Sequence, residues 1–276
     1  MPNDPSKPSV RKGEHQNTAR LVLVLETLMA ASVDGLRLID VVEASGLSVA
    51  VAHRLLAGMV AYGLVDQDAE TNRYFLGLKL LSLTAGATER HGIARCAEGP
   101  LEQLAKETGD TIYLSLPSGD DSVCVDRREG SFPIRTLTLN LGDRRPLGVG
   151  GGSMALLAFQ EDAFIADILA RDRARRQSYG IDDAWLEAAL KEARARGYTM
   201  NDGRLIQGMS GVGVPICRAD GRAVAALSLA AIADRLGGER LAWVVGLLKQ
   251  AAAKIEADAS VIINSRIAKR GATKTA

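Results

Sequence analysis

SGLSVAVAHRLLAGMVAYGLVDQDAETNRYFLG, residues 45–77, decides how the first part of the chain folds. Gly46 ends one helix, and Ser48 stands where an N-cap belongs for the next, Val49 to Tyr62, which Gly63 closes. At about 100° per residue, Ala52, Leu55, Leu56 and Met59 share one face of that helix. Ala50, Arg54, Ala57 and Ala61 point the other way, with His53 on the flank. Leu64 to Gln67 and Arg73 to Leu76 then read as two short strands around a turn, Asp68 to Asn72. Upstream, Thr18 is placed to cap a helix from Ala19 to Ala31, whose Leu21, Val24, Leu25, Leu28 and Met29 recur at helical spacing. Asp34-Gly35 turns the chain, a short segment spans Leu36 to Leu38, and a helix follows from Ile39 to Ala44. Helix, short strand, helix, turn, helix, hairpin is the order of a winged helix-turn-helix.

A helix that enters a DNA groove needs short side chains at its N-terminal half and one or two long donors. Ser48, Val49, Ala50, His53 and Arg54 meet that description, and Arg73 stands near the wing. Residues 1–80 hold eight Lys/Arg and nine Asp/Glu, so bulk charge does not draw this segment to phosphate. The attraction must come from placement: Lys7, Arg11 and Lys12 on the leading arm, then Arg20, Arg37, Arg54 and Arg73.

Beyond the hairpin the pattern changes. Helices are expected over 78–91 and 93–108, then strands TIYLSLP (111–117) and SVCVDRRE (122–129), with RTLTLNLG (135–142) as a third alternating piece. PLGVGGGSMALLAF (146–159) sets four glycines before an apolar helix. Helices over 161–170 and 182–196 follow, then GVGVPICR (211–218) and AVAALSLAAI (223–232) flank Asp220-Gly221 as a hairpin. A last helix runs from Gly238 to Ser265, ahead of a loose tail. The glycine loop is no phosphate-binding P-loop, because no Lys precedes Ser153, and no dinucleotide fingerprint, because Ser153 takes the third glycine's place. It is either a tight strand-to-helix turn or one wall of a ligand pocket. In the second case the N–H groups near Gly152 and Ser153, with the helix dipole, favour a carboxylate, and Gly148, Gly150 and Gly151 leave room for its body. RDRARRQ (171–177) is a solvated helix face or an anion site.

Composition narrows the classes. Hydrophobic residues make up 47 % of 276 and aromatics 4 %, so the cores are aliphatic, and the net charge of +1 excludes a globally basic or acidic protein. Three scattered cysteines, Cys96, Cys124 and Cys217, offer neither a disulfide framework nor a metal motif, which makes cytoplasmic residence the expectation. The polar, proline-bearing residues 1–17 read as a disordered arm, and no uncharged apolar run reaches membrane-spanning length. GMSGV (208–212) and GGSMA (151–155) lack the last glycine of a nucleophile elbow, and no His follows Ser153 or Ser210. No catalytic residue, metal or cofactor is therefore expected; a hydrolase and a sensor without DNA are the alternatives.

LSVAVAHRLLAGMVAYGLV followed by RYFLGLKLLSL resembles the DNA-binding half of the IclR family of bacterial transcriptional regulators, at His53, Arg54, Leu55, Leu56, Tyr74, Leu76 and Gly77. Val49, Ala50 and Val51 replace the family's commoner Lys, Ser and Thr, which points to apolar contact with thymine methyls. GDRRPLGVGGGSMALLAF is similar to the family's second motif at Gly142, Arg144, Pro146, Leu147 and Ala155 to Ala158, with Gly148, Gly150 and Met154 for the usual His, Thr and Lys. The resemblance spans 18–265 and implies an α+β chain: winged helix-turn-helix (18–77), linker helix (78–92) and GAF-like α/β effector-binding domain (93–265), with a loose tail at 266–276. It implies an effector site built from Gly148, Gly150, Gly151, Gly152, Ser153, Asp202, Gly211 and Ser228. It further implies double-stranded, pseudo-palindromic DNA as partner, a small organic acid, aromatic or aliphatic, as effector, a dimer or tetramer, and no membrane.

Overall fold

The computed structural model describes residues 16–31, 34–90, 92–134 and 137–273, which form two compact units divided after Arg90. Lys7, Arg11, Lys12 and most of the expected arm lie outside the described residues.

The first unit holds α1 (Gln16–Ala30), α2 (Leu38–Ser45), α3 (Val49–Ala61), the hairpin β1 (Val65–Gln67) and β2 (Tyr74–Leu76), and α4 (Lys79–Arg90). Its core is Val24, Leu28, Val41, Leu56, Met59, Val65 and Tyr74. Thr18 lies inside α1, which starts two residues earlier, so it is not the cap. Gly46 ends α2 in the left-handed conformation at φ 67°, and the chain bends by 115° into α3, within the range of helix-turn-helix pairs. Leu36 forms a single antiparallel bridge to Tyr74.

The second unit is one antiparallel sheet between two helical layers. Its elements are α5 (Ile93–Thr108), β3 (Thr111–Ser118), β4 (Asp121–Arg128), β5 (Arg144–Pro146), α6 (Gly151–Ala158), α7 (Asp162–Arg171), α8 (Arg173–Gln177), α9 (Asp183–Arg196), β6 (Thr199–Asp202), β7 (Met209–Cys217), β8 (Ala223–Ile232) and α10 (Gly238–Thr273). The strand order is β5-β4-β3-β8-β7-β6. Side chains alternate between faces. Ile112, Leu114, Val212, Val214, Leu227 and Leu229 pack with α5 and α10, while Ala226 packs with the apolar side chains of α6 and α9. The face towards α6 is built from small residues, Gly211, Gly213, Ala226 and Ser228, so the helix settles close to the sheet. A Cβ on Gly213 would stand 2.3 Å from the carbonyl oxygen of Gly151.

Three expectations fail here. Residues 137–142 are not a strand; Arg127 donates to the Leu139 carbonyl and the Asn140 side chain, and Asp143 accepts from the Asn140 N–H, so side chains rather than a ladder meet these polar groups. The edge strand is β5, where Pro146 is tolerated because an edge leaves one side unpaired. β6 has no strong strand pattern in four residues and was not expected. The expected loose tail from 266 is helical to Thr273, since Ala268, Lys269 and Arg270 are good helix formers with no proline among them.

Candidate functional site

In the first unit, Val49, Ala50, His53, Arg54, Ala57 and Ala61 are exposed on α3, opposite the buried Ala52, Leu56 and Met59. Arg54 and His53 have no hydrogen-bond or ion-pair partner among the described residues, which leaves both free to meet DNA. Ser48 stands at the N-cap position but its side chain makes no cap bond. Arg73 differs from expectation: its guanidinium donates to the carbonyls of Asp34 (3.3 Å) and Gly35 (2.8 Å), tying the wing to the turn before α2.

In the second unit, the start of α6 opens into a cavity between β3, β6, β7 and β8. Its wall includes Gly150, Gly151, Gly152, Ser153, Asn201, Gly211 and Ser228, with Leu139, Leu205, Ile206 and Met209 as apolar lining. The space is about 570 Å³ with its open mouth included, which suits a small, compact ligand. Register explains the convergence: Ser228 lies opposite Tyr113 on β3 and Gly213 on β7, so all three sit at one level of the sheet. The backbone N–H groups of Gly151, Gly152 and Ser153 have no acceptor among the described residues; the first helical bond is Met154 N–H to the Gly150 carbonyl (2.9 Å). Three free donors at a helix start favour an anion.

Residues 18–69 match the IclR helix-turn-helix domain, and residues 85–257 match the bacterial transcriptional regulator IclR C-terminal domain. The probable transcriptional regulator SauR of Cupriavidus necator is 33 % identical over 243 residues, covering 86 % of this chain and 95 % of that one. The chain belongs to the IclR family. The Thermotoga maritima IclR structure superposes with a TM-score of 0.72 at 23 % identity, covering 89 % of this chain and 99 % of that one. An IclR homologue from Microbacterium hydrocarbonoxydans, solved in complex with 4-hydroxybenzoate, gives 0.71 at 23 %, covering 88 % and 98 %. The protein is thus a transcriptional regulator with a DNA-binding helix-turn-helix domain and not an enzyme. Among the described residues no single helix is long and apolar enough to cross a membrane.

Within this IclR regulator the expected effector residues divide. Gly150, Gly151, Gly152, Ser153, Gly211 and Ser228 meet at the cavity; Gly148 and Asp202 do not. Gly148 serves packing: a Cβ there would stand 2.7 Å from Leu186 Cδ2, and its φ is 96°. Gly151 likewise makes room for strand β7, whose backbone would lie 3.2 Å from its Cβ, rather than for a ligand. Asp202 ends β6 exposed, accepting from the Ser210 hydroxyl at 3.3 Å, while Asn201 before it shares the α6-facing side of β6 with Thr199. Ser153 lends only its N–H to the cavity. Its hydroxyl donates to the Pro146 carbonyl (2.9 Å) and accepts from the Gly148 N–H (3.1 Å). Ser153→Ala leaves the buried Gly148 N–H without an acceptor, while the Pro146 carbonyl keeps the Val149 N–H at 3.1 Å, an expected loss of about 1–3 kcal/mol in chemical unfolding.

The run 171–177 is largely exposed, with only Asp172 and Arg176 buried, and its arginines are held by carboxylates of the chain. Arg171 pairs with Asp120 and Asp167, Arg173 and Arg176 with Asp183, and Arg175 with Asp121 and Asp172. Arg145 escaped sequence reading. It lines the cavity, and its position in GDRRP gave no sign that the second arginine turns inward.

Proposed function

We propose that this regulator binds a pseudo-palindromic operator as a dimer or tetramer through α3 and senses a small organic acid in the cavity at the start of α6. The observation that carries the sensor is the row of unpaired N–H groups at Gly151, Gly152 and Ser153, facing a cavity whose wall holds no Asp or Glu. A carboxylate there gains hydrogen bonds and the field of the helix start. The complex of the Microbacterium homologue with 4-hydroxybenzoate supports an acid. Exposed apolar side chains on α1 (Val22, Met29), at Leu78, and on α4 (Leu81, Leu83) support a two-fold contact. Residues 78–92 then act as the connector. The effector alters DNA affinity by preferring one of two arrangements of the paired recognition helices. DNA affinity falls steeply with salt, because phosphate contacts release counter-ions.

Thermal melting of the full chain against short carboxylic acids and their amides tests the sensor. A true ligand at a hundredfold excess over its Kd adds about 2.7 kcal/mol of stability. Acids are expected to raise Tm and amides not to. Equal shifts from both, or none from either, would remove the acid from the account.

A further inference from the structure

Among the residues that line the cavity, Arg145 is the one charged side chain. Its Nη2 donates to the Thr138 carbonyl, and no carboxylate among the described residues lies within ion-pair distance. Neighbouring arginines are matched: Arg144 holds Asp121 at 3.0 Å and Arg176 holds Asp183 at 2.8 Å. Asp143, the acid beside Arg145 in sequence, accepts from the Asn140 N–H and attracts Arg145 only from beyond ion-pair distance. Burial pushes the Arg145 pKa down, the mark of a guanidinium drawn out of water. Its Nη1 stands 3.3 Å from where a Cβ on Gly150 would lie, at the threshold of α6. A desolvated cation without a counter-ion is costly to keep.

Other wall groups add to the demand for ligand oxygens. The hydroxyls of Ser228 and Ser115 lie 2.9 and 3.4 Å from the Cβ position of Gly152. Asn201 is 7 % exposed, and its Oδ1 has no hydrogen-bond partner; as an acceptor it calls for a donor on the ligand, such as a hydroxyl, and not for a further oxygen anion. With the three N–H groups of α6, the wall offers more donors than the two oxygens of one carboxylate can meet.

We propose that the effector is a compact dianion, two acidic groups on a short skeleton, one on the N–H groups of Gly151, Gly152 and Ser153 and the other on Arg145. This rests on the reading that the cavity binds an acid. Arg145 Nη1 adjoins Gly150 at the threshold of α6, so a first acidic group on the three N–H groups leaves Arg145 donors for a second one close by, and a short spacer suffices. Arg145 is thereby the specificity-determining residue.

Calorimetric titration of the full chain at fixed ionic strength compares malonate and succinate with propionate and butyrate. The diacids are expected to bind at least about tenfold more tightly, as charge-assisted pairs imply. Arg145→Leu is expected to bring the diacids down to the monoacid level and to leave monoacids within about twofold, since their contacts are with α6. Equal wild-type affinities for matched mono- and diacids would overturn the dianion while leaving the acid site standing, as would an Arg145→Leu protein that weakens both classes alike. Binding of no acid at all would overturn both. The wild-type comparison needs no variant, so it holds even where Arg145→Leu does not fold.

Discussion

Arg176→Met is expected to destabilise the effector-binding domain by about 3–5 kcal/mol, measured by urea unfolding. Arg176 is fully buried. Its guanidinium donates to the carbonyls of Ile168 (2.9 Å) and Leu169, in the last turn of α7, and to Asp183 at 2.8 Å. Carbonyls of a last turn have no partner within their own helix, and the guanidinium supplies one. Methionine fills similar volume but removes the guanidinium from the Leu169 carbonyl, takes one of two donors from the Ile168 carbonyl, which keeps the Asp172 N–H, and leaves Asp183 only Arg173. Arg176→Met combined with Asp183→Asn should recover part of the loss, because the carboxylate that has lost its buried donor is then neutral, while the exposed Arg173 returns to water. Burial acts to raise the Asp183 pKa, yet hydrogen bonds from Arg176 and Arg173 and their charges hold it below the usual carboxylate range. A group depressed in the folded state contributes stability above its unfolded pKa and loses it as pH falls through the folded one. Acidification should therefore cost the Arg176→Met protein less than the wild type.

Arg54→Ala is expected to abolish the operator shift in a gel at physiological salt and to leave unfolding free energy within about 0.5 kcal/mol. Arg54 is exposed on α3 and has no partner among the described residues, so the fold loses nothing when it is cut back. A lost base contact costs about 1–3 kcal/mol, and a two-fold assembly loses it twice. The neighbouring exposed residues, Val49, Ala50 and Ala57, carry no charged donors to compensate. A large drop in stability with DNA binding retained would make Arg54 a structural residue.

The winged helix-turn-helix was legible because local signals set each boundary. Helical spacing of apolar residues picked out the buried Ala52, Leu56 and Met59, and Gly46 was recognisable as a helix stop. In the second unit, the Ile93–Thr108 helix and the last two strands were equally plain, having long periodic patterns. β5 and β6, three and four residues long, were not. Such strands exist because a neighbour offers a ladder, and nothing in their own few residues encodes that neighbour.

By itself the sequence determined the two-part organisation, the family and the exposed face of α3, since each follows from local periodicity, turn chemistry or motif spacing; for the glycine loop it left a tight turn and a pocket wall both open. Only the tertiary structure decided which side chains face the cavity. Arg145 and Arg176 are both arginines in basic runs, yet one looks into the cavity without a counter-ion and the other is sealed against Asp183. Burial and charge pairing between residues distant in the chain depend on which strands and helices come together, and that is a property of the assembled fold rather than of any segment.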